Sequence, residues 1–527
     1  MQAVMAFENA PPFAAPLRFF LTAPLFAVLA GLLIAFEGPD LFASRWMPGT
    51  LAATHLLTVG FMLQIMLGAL IQILPVVAGA NIQRPLLVAR LLHAGLSAGA
   101  LLLATGFYWS QPALLNLAAW TLLLTIALFL GVTARALVGV PSTSPTIRGL
   151  KLAMAGLAGV VGLGVVLAWA LAQGWALPLP VLADLHAGWG LGGWAAVLLA
   201  ALAYVVVPMF QLTPGYPARP GWLFPVLMFL CLLLWSLAIL VDMPLLTRFA
   251  QAVLAVLGLA FAMLTLRLQL KRRRARADAT YRYWQLGLGA SLFALSMLLV
   301  AALWLPAAEM AGWTLLFGIA LIAGGFIPFI VGMLYKIVPF LAWLHLQNHG
   351  QAKVPAPGMN KILSDVEMQR QTKAYALAFA LLLAAVFFPE WLSRPAGLAF
   401  AVANGWLWLN LFVAVRRYRR HWADISQKLA GQWPGFFVAR HLDVARFASP
   451  EALAGEGLAA SGRYRAARQC HSDGRRQRSV SVCCRVADGK AVRFAGLHRV
   501  WGDRPEARQD KGGARQLSAA GTKRLCV

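Results

Sequence analysis

Long apolar blocks separated by short polar breaks run along most of this chain. Blocks able to cross a bilayer, about 20 mostly apolar residues, fall at roughly 17–36, 51–78, 86–109, 113–134, 150–173, 181–208, 222–241, 245–266, 283–305, 311–340, 374–392 and 396–415. Beyond 415 no block reaches spanning length. The pattern predicts an all-α membrane protein with twelve transmembrane helices over 17–420. A cytoplasmic N-terminal segment, 1–16, precedes them and a basic cytoplasmic tail, 421–527, follows.

Of the 527 residues 60% are hydrophobic and 12% charged, half the charge of a soluble domain, which is about 25%. Lys and Arg outnumber Asp and Glu 45 to 19, for a net charge of +26. In a soluble protein that excess points to nucleic acid; here it sorts by membrane side. With twelve spans, 22 basic residues flank the side shared by both termini, against Arg45, Arg248 and Arg394 on the other. Both termini are therefore expected in the cytoplasm, and the second, sixth and tenth spans run from outside to inside. The partner implied is the lipid bilayer, with Lys271-Arg-Arg-Arg274 facing anionic headgroups; no nucleic acid is expected. The stretch MQAVMAFENAPPFAAP has no basic n-region and no small-residue cleavage site, so no cleaved signal peptide is expected. Four of the five cysteines lie in the last 60 residues, without the spacing of a disulfide framework or of paired zinc ligands. The tail clusters Arg, Gly and Ala without apolar periodicity and reads as disordered.

Three even-numbered spans close alike: Gln72-Ile-Leu-Pro75-Val, Tyr204-Val-Val-Val-Pro208-Met-Phe and Tyr335-Lys-Ile-Val-Pro339-Phe. Pro75 and Pro208 are 133 residues apart and Pro208 and Pro339 are 131 apart, each interval holding four spans. The chain reads as three units of four helices. The second span carries His55 ahead of Gly60 and Gly68, and the sixth carries Asp184 and His186 ahead of Gly188, Gly190, Gly192 and Gly193. Both histidines come near the outer end of their helix, above small residues that let another helix or a flat ligand approach. The tenth span has no histidine there and offers Trp313, Phe317 and Gly324-Gly325.

Twelve helices in three units, with histidines near the outer ends of the second and sixth, resemble subunit I of the haem–copper oxidases. The phrases His55-Leu-Leu-Thr-Val-Gly60, Gly68-Ala-Leu-Ile-Gln72-Ile-Leu-Pro75, Tyr204-Val-Val-Val-Pro208-Met-Phe-Gln-Leu-Thr-Pro214 and Tyr335-Lys-Ile-Val-Pro339-Phe-Leu-Ala-Trp-Leu-His345 are similar to those of a family of uncharacterised bacterial polytopic membrane proteins related to that subunit. They are also similar to phrases of the nitric-oxide-response haem membrane proteins. The likeness covers about residues 15–420. It implies a subunit-I-like bundle in the bacterial inner membrane, haem b as cofactor, and partners in the respiratory chain or in nitrogen-oxide metabolism. It does not carry over the oxidase reaction, which needs six core histidines, among them a pair on the seventh span and two on the tenth. Trp222–Val241 contains none, and the tenth span has none before His345. An active terminal oxidase is not expected.

Of the nine histidines, His421, His441, His471 and His498 lie outside the membrane region, and His345 and His349 stand at a helix end where capping accounts for them. His55, His186 and His93 are intramembrane, where a polar group must find a partner. All three are candidate haem ligands, since neutral imidazole binds haem iron in an apolar slot. His55 and His186 share a depth and can take the two faces of one haem if their helices face each other, whereas the oxidase likeness places those two histidines at different sites. His93 is about 10 Å too deep to share that haem with His55. Hydrogen bonding between helices is the alternative for each. Copper is less favoured: Met62, Met66, Met209 and Met333 are soft ligands, but none stands at ligand spacing from a histidine. Asp184 is expected to be solvated and Lys336 to snorkel. Gln64, Gln72, Asn116, Asn404 and Asn410 either line a path or join helices. The chain reads as a protein of electron transfer, sensing or nitrogen-oxide handling. A membrane transporter or channel, and an assembly or structural partner of a respiratory complex, are the two alternatives.

Overall fold

A computed structural model describes residues 7–432 apart from Ala352. Among the described residues there is no strand, and twelve helices are long and apolar enough to cross a membrane. They are α1 Ala14–Phe42, α2 Pro48–Ala78, α3 Pro85–Tyr108, α4 Pro112–Leu137, α5 Pro145–Gln173, α6 Leu179–Gln211, α7 Ala218–Leu240, α8 Pro244–Leu270, α9 Ala279–Leu303, α10 Trp313–His349, α11 Asp365–Phe387 and α12 Pro389–Gln432. The chain is an integral membrane protein whose exposed apolar faces meet lipid.

Local chemistry sets the helix starts. Pro48, Pro85, Pro112, Pro145, Pro244 and Pro389 open six of the helices, at the position where a missing N–H costs nothing. Ser144 accepts from Ile147 N and Asp278 from Tyr281 N, while Ser364 and Glu367 form a reciprocal capping box at α11.

Several boundaries differ from those read in the sequence, and three of them show why. The turn between α11 and α12 falls at Phe388, where Pro389 starts the next helix, and Arg394-Pro395 lies inside α12. Helix α10 does not end at Pro339 but continues to His349 through buried Leu341, Ala342 and Leu346. That burial outweighs the one backbone hydrogen bond a proline removes. Helix α12 passes 421 and reaches Gln432 with Ile425 and Leu429 buried, so the first turns assigned to the tail are helical. The remainder of the expected disordered tail lies outside the described residues.

The core sits on α2, α6 and α10. Their apolar windows are 78%, 56% and 67% buried, against 50% or less in every other span. Around them α4 packs on α5, α8 on α9, and α12 returns to α1. The proline-bearing ends of the three central helices meet. Phe210 and Phe340, just past Pro208 and Pro339, stand 5.6 Å apart, and Phe7, on a short turn against the end of α2, lies 5.5 Å from Phe340.

Two further features recur in these helices. Each contains a π-helical stretch: Leu56–Leu63, Trp189–Ala196 and Ile322–Phe326. The stretch ends twelve residues before the proline in α2 and α6 and thirteen before it in α10. Small residues also repeat: Gly60, Gly193 and Gly324 stand fifteen residues ahead of the proline, and Gly68, Ala201 and Gly332 seven ahead. All six sit at close helix contacts. Gly60 and Gly68 face Phe26 and Phe19 of α1, the Gly193 carbonyl and Ala201 lie against Gly156 and Gly149 of α5, Gly324 meets Phe379 of α11 and Ala290 of α9, and Gly332 meets Tyr283 of α9. In lipid, where no water is released by packing helices together, such close approach is a main source of helix association.

Lys336 does not simply snorkel. Its Nζ is 2.7 Å from Asp278, which also takes Arg274 at 2.5 Å. Burial by itself pushes the Asp278 carboxyl up, but the Lys336 hydrogen bond and charge outweigh it and hold the group below the usual carboxylate range.

A Cβ at Gly156 would run into the Gly193 carbonyl, whereas Gly162 on the same helix has nothing within 4 Å. Gly156→Ala is expected to cost about 1–3 kcal/mol of stability in detergent. Gly162→Ala, an exposed mid-helix site, should be neutral or slightly stabilising; thermal unfolding of the two purified variants compares them.

Candidate functional site

His55 is seven residues into α2 and His186 seven into α6, which places both about 10 Å inside the same end of the bundle. The π-helical stretch of α2 begins directly after His55, and that of α6 three residues after His186. A π turn widens the helix and re-aims the side chains beside it, and such turns are frequent at functional sites.

The two rings come together. Their centroids are 6.3 Å apart and their planes differ by 23°. His55 Nδ1 is 2.8 Å from Leu51 O, one turn back on its own helix. His186 Nδ1 is 2.9 Å from Val160 O on α5. A carbonyl oxygen only accepts, so Nδ1 carries the hydrogen in both rings and Nε2 keeps its lone pair. No described residue donates to either Nε2. The result is a pair of neutral imidazoles, each fixed in orientation through Nδ1 and each with an uncommitted lone pair.

The neighbours explain how the rings fit. Phe107 of α3 lies 4.9 Å from the His55 ring. Gly164 stands one turn beyond Val160 on α5, and a Cβ there would come 2.8 Å from His186 Cε1 and 3.2 Å from its Nδ1. The glycine therefore opens the path from the imidazole to the helix carbonyl. Sequence reasoning singled out neither Phe107, Val160 nor Gly164. The only signal was that α5 is rich in small residues, Gly156, Gly159, Gly162 and Gly164 among them, which does not single out one position.

Toward the same end, Arg45 Nη1 is 2.6 Å from Asp184 Oδ1. Asp184 is thus ion-paired and not simply solvated. The bridge joins the loop after α1 to α6, two residues ahead of His186. A cavity of about 460 Å³ opens at this end beside Glu37, Leu41, Met47, Pro48, Gly49, Tyr108 and Trp109. Neither histidine lines it, and Tyr108 donates to Glu37 at 2.8 Å.

The other histidines of the membrane region are partnered. His93 is not brought to the pair; its Nε2 is 2.8 Å from Thr22 Oγ1 and its ring packs edge-on to Phe19. His345 meets Tyr418 at 2.7 Å, and His349 meets Ser426 at 2.9 Å while stacking on Trp422. Met62 and Met66 are buried in the apolar core. Among the described residues no group of three or more His, Cys, Asp or Glu side chains assembles. Gln64 donates to Ser97 and Asn404 to a carbonyl of its own helix, each leaving its amide oxygen without a protein partner.

A contrasting polar cluster binds α9, α10, α11 and α12. Tyr283 and Tyr335 both donate to Gln371 Oε1, at 2.6 and 2.9 Å, Gln371 donates to Ala403 O, and Asn410 donates to the Tyr335 oxygen. Tyr375 donates to Ala323 O inside the π-helical stretch of α10. This network is closed on itself and joins helices.

No known protein family matches the chain, and no curated protein matches it.

Replacing Gln371 by Leu would leave the two buried tyrosine hydroxyls without their acceptor. The expected loss is about 2–4 kcal/mol, against about 1 kcal/mol for Tyr283→Phe, which removes donor and demand together; chemical or thermal unfolding in detergent reads the difference.

Proposed function

We propose that this protein holds one haem b between His55 and His186 and serves electron transfer, on a twelve-helix scaffold of the oxidase-subunit-I kind without a haem–copper centre. The observation that carries the reading is the spacing of the two tied imidazoles. Two imidazoles on opposite sides of one metal, each nitrogen at about 2.0–2.1 Å and facing it, would put their ring centroids roughly 6–6.5 Å apart; the 6.3 Å here fits that spacing. Metal-ligating histidines characteristically donate the other ring N–H to a carbonyl or carboxylate, as both do here.

The donor set favours a macrocycle over a bare ion. A structural zinc takes about four protein ligands. Haem iron brings four nitrogens of its own and asks the protein for two. Two neutral histidines meet that demand in an apolar setting of Phe107, Val160 and Gly164. When bound, the group supplies one-electron chemistry. Were His55 and His186 both to hold the iron, no position would be left for a gas, which favours electron transfer over gas sensing or nitrogen-oxide reduction. The residues do the rest: the Nδ1 hydrogen bonds hold the rings in orientation, and the surrounding apolar side chains exclude water.

The scaffold assignment is supported by the recurrent prolines, π-helical stretches and small residues of α2, α6 and α10, and by the burial of these three helices. At the third position α10 carries no histidine, which removes the oxidase catalytic set. Localisation to a bacterial inner membrane with both termini inside rests on the basic-residue asymmetry and the resemblance. Redox partners from the respiratory chain or nitrogen-oxide metabolism belong to the same proposal.

The full chain, purified in detergent from haem-replete cells, is expected to show a Soret band. His55→Ala and His186→Ala should each shift or abolish it, and His93→Ala should leave it unchanged. A colourless wild type would contradict the reading and turn attention to the transporter alternative.

A further inference from the structure

We infer that Arg45 is the carboxylate receptor of the His55–His186 slot and that Asp184 occupies it when no ligand carboxylate does. This rests on the haem reading above. Haem b carries two carboxylates on an otherwise apolar plane, and a carboxylate buried among apolar groups without a cation is strongly disfavoured. They must therefore reach a cation or water at the nearer end of the bundle, the end that holds both histidines about 10 Å inside.

Among the described residues three basic side chains lie at that end: Arg45, Arg248 and Arg394. Two are committed to capping helix ends. Arg248 donates to the carbonyls of Ala302 and Leu303 at the close of α9, and Arg394 donates to those of Ala35 and Phe36 in α1. Arg45 alone is paired with a carboxylate, at 2.6 Å, and that carboxylate belongs to the residue two ahead of His186. Arg45 approaches from the chain that leads into α2, the helix of His55. The pair thus joins the segment that leads into the helix of His55 to the helix of His186, toward the end of the bundle nearer both rings. Both side chains are partly exposed, 37% for Arg45 and 47% for Asp184, so exchanging one carboxylate for another involves groups that already face solvent. An exposed pair of this kind contributes little to stability. A guanidinium, with its planar fork of donors, takes a second carboxylate in the same geometry as the first.

The test uses the full chain in detergent, loaded with iron protoporphyrin IX or with its dimethyl ester, and follows transfer of the porphyrin to an excess of apomyoglobin. Arg45→Ala is expected to release iron protoporphyrin IX about tenfold faster or more, with an unchanged Soret position. Asp184→Asn, which removes the competitor and leaves Arg45 in place, should release it no faster than wild type. With the dimethyl ester, whose carboxylates are masked, Arg45→Ala and wild type should release at the same rate. Equal release of the free acid from wild type and Arg45→Ala would overturn the inference while leaving the haem reading intact. Faster release of both porphyrins from Arg45→Ala would assign Arg45 a purely structural role and also overturn it. A wild type that binds neither porphyrin removes the haem reading, and this inference falls with it.

Discussion

In hydrocarbon a polar side chain has only the rest of the protein to meet it, and the internal organisation of this bundle follows from that constraint. Backbone groups are satisfied within helices, so the chain is helical throughout its described spans. Two groups of side chains that remain polar inside the bundle stand in contrast. Tyr283, Tyr335, Gln371 and Asn410 meet one another and tie α9 to α12. His55 and His186 instead use one ring nitrogen each on a backbone carbonyl and leave the other free, beside each other. Gln64, Gln72 and Asn404 also keep an unpartnered oxygen, but none of them stands beside a like group as the two imidazoles do.

The geometry of the histidine pair depends on glycine and on π turns as much as on histidine. Close approach of α5 to α6 at Gly156 and Gly193 brings the α5 carbonyls within reach, and Gly164 leaves space for the His186 ring to take the one at Val160. The π-helical stretches begin at or just beyond the two histidines, while in α10 the same stretch is met by Tyr375. One architectural device thus serves an open pair of imidazoles in two helices and a closed hydrogen bond in the third. This divergence within a repeated frame is how a shared scaffold carries different sites.

Much of this was legible in the amino-acid pattern. Hydropathy located all twelve spans, because about 20 apolar residues are needed to cross a bilayer whatever the tertiary contacts. The Pro75, Pro208 and Pro339 spacing identified the three central helices, and matched depth singled out His55 and His186. Helix ends were less legible. Arg394-Pro395 looks like a break, yet Pro389 provides a better helix start, and Pro339 is overridden by the buried residues after it. Long-range partners could not be read at all. That Arg45 would meet Asp184, 139 residues away, or that Lys336 would meet Asp278, depends on which helices are neighbours, and periodicity along one helix is silent on that.

The central claim is that two near-parallel imidazoles ligate one iron, and electron paramagnetic resonance of the oxidised, purified full chain tests it most directly. Planes that differ by 23° predict a low-spin ferric signal of the rhombic kind given by near-parallel axial imidazoles. A high-spin signal, a strongly anisotropic low-spin signal of crossed imidazoles, or no haem signal would contradict the account.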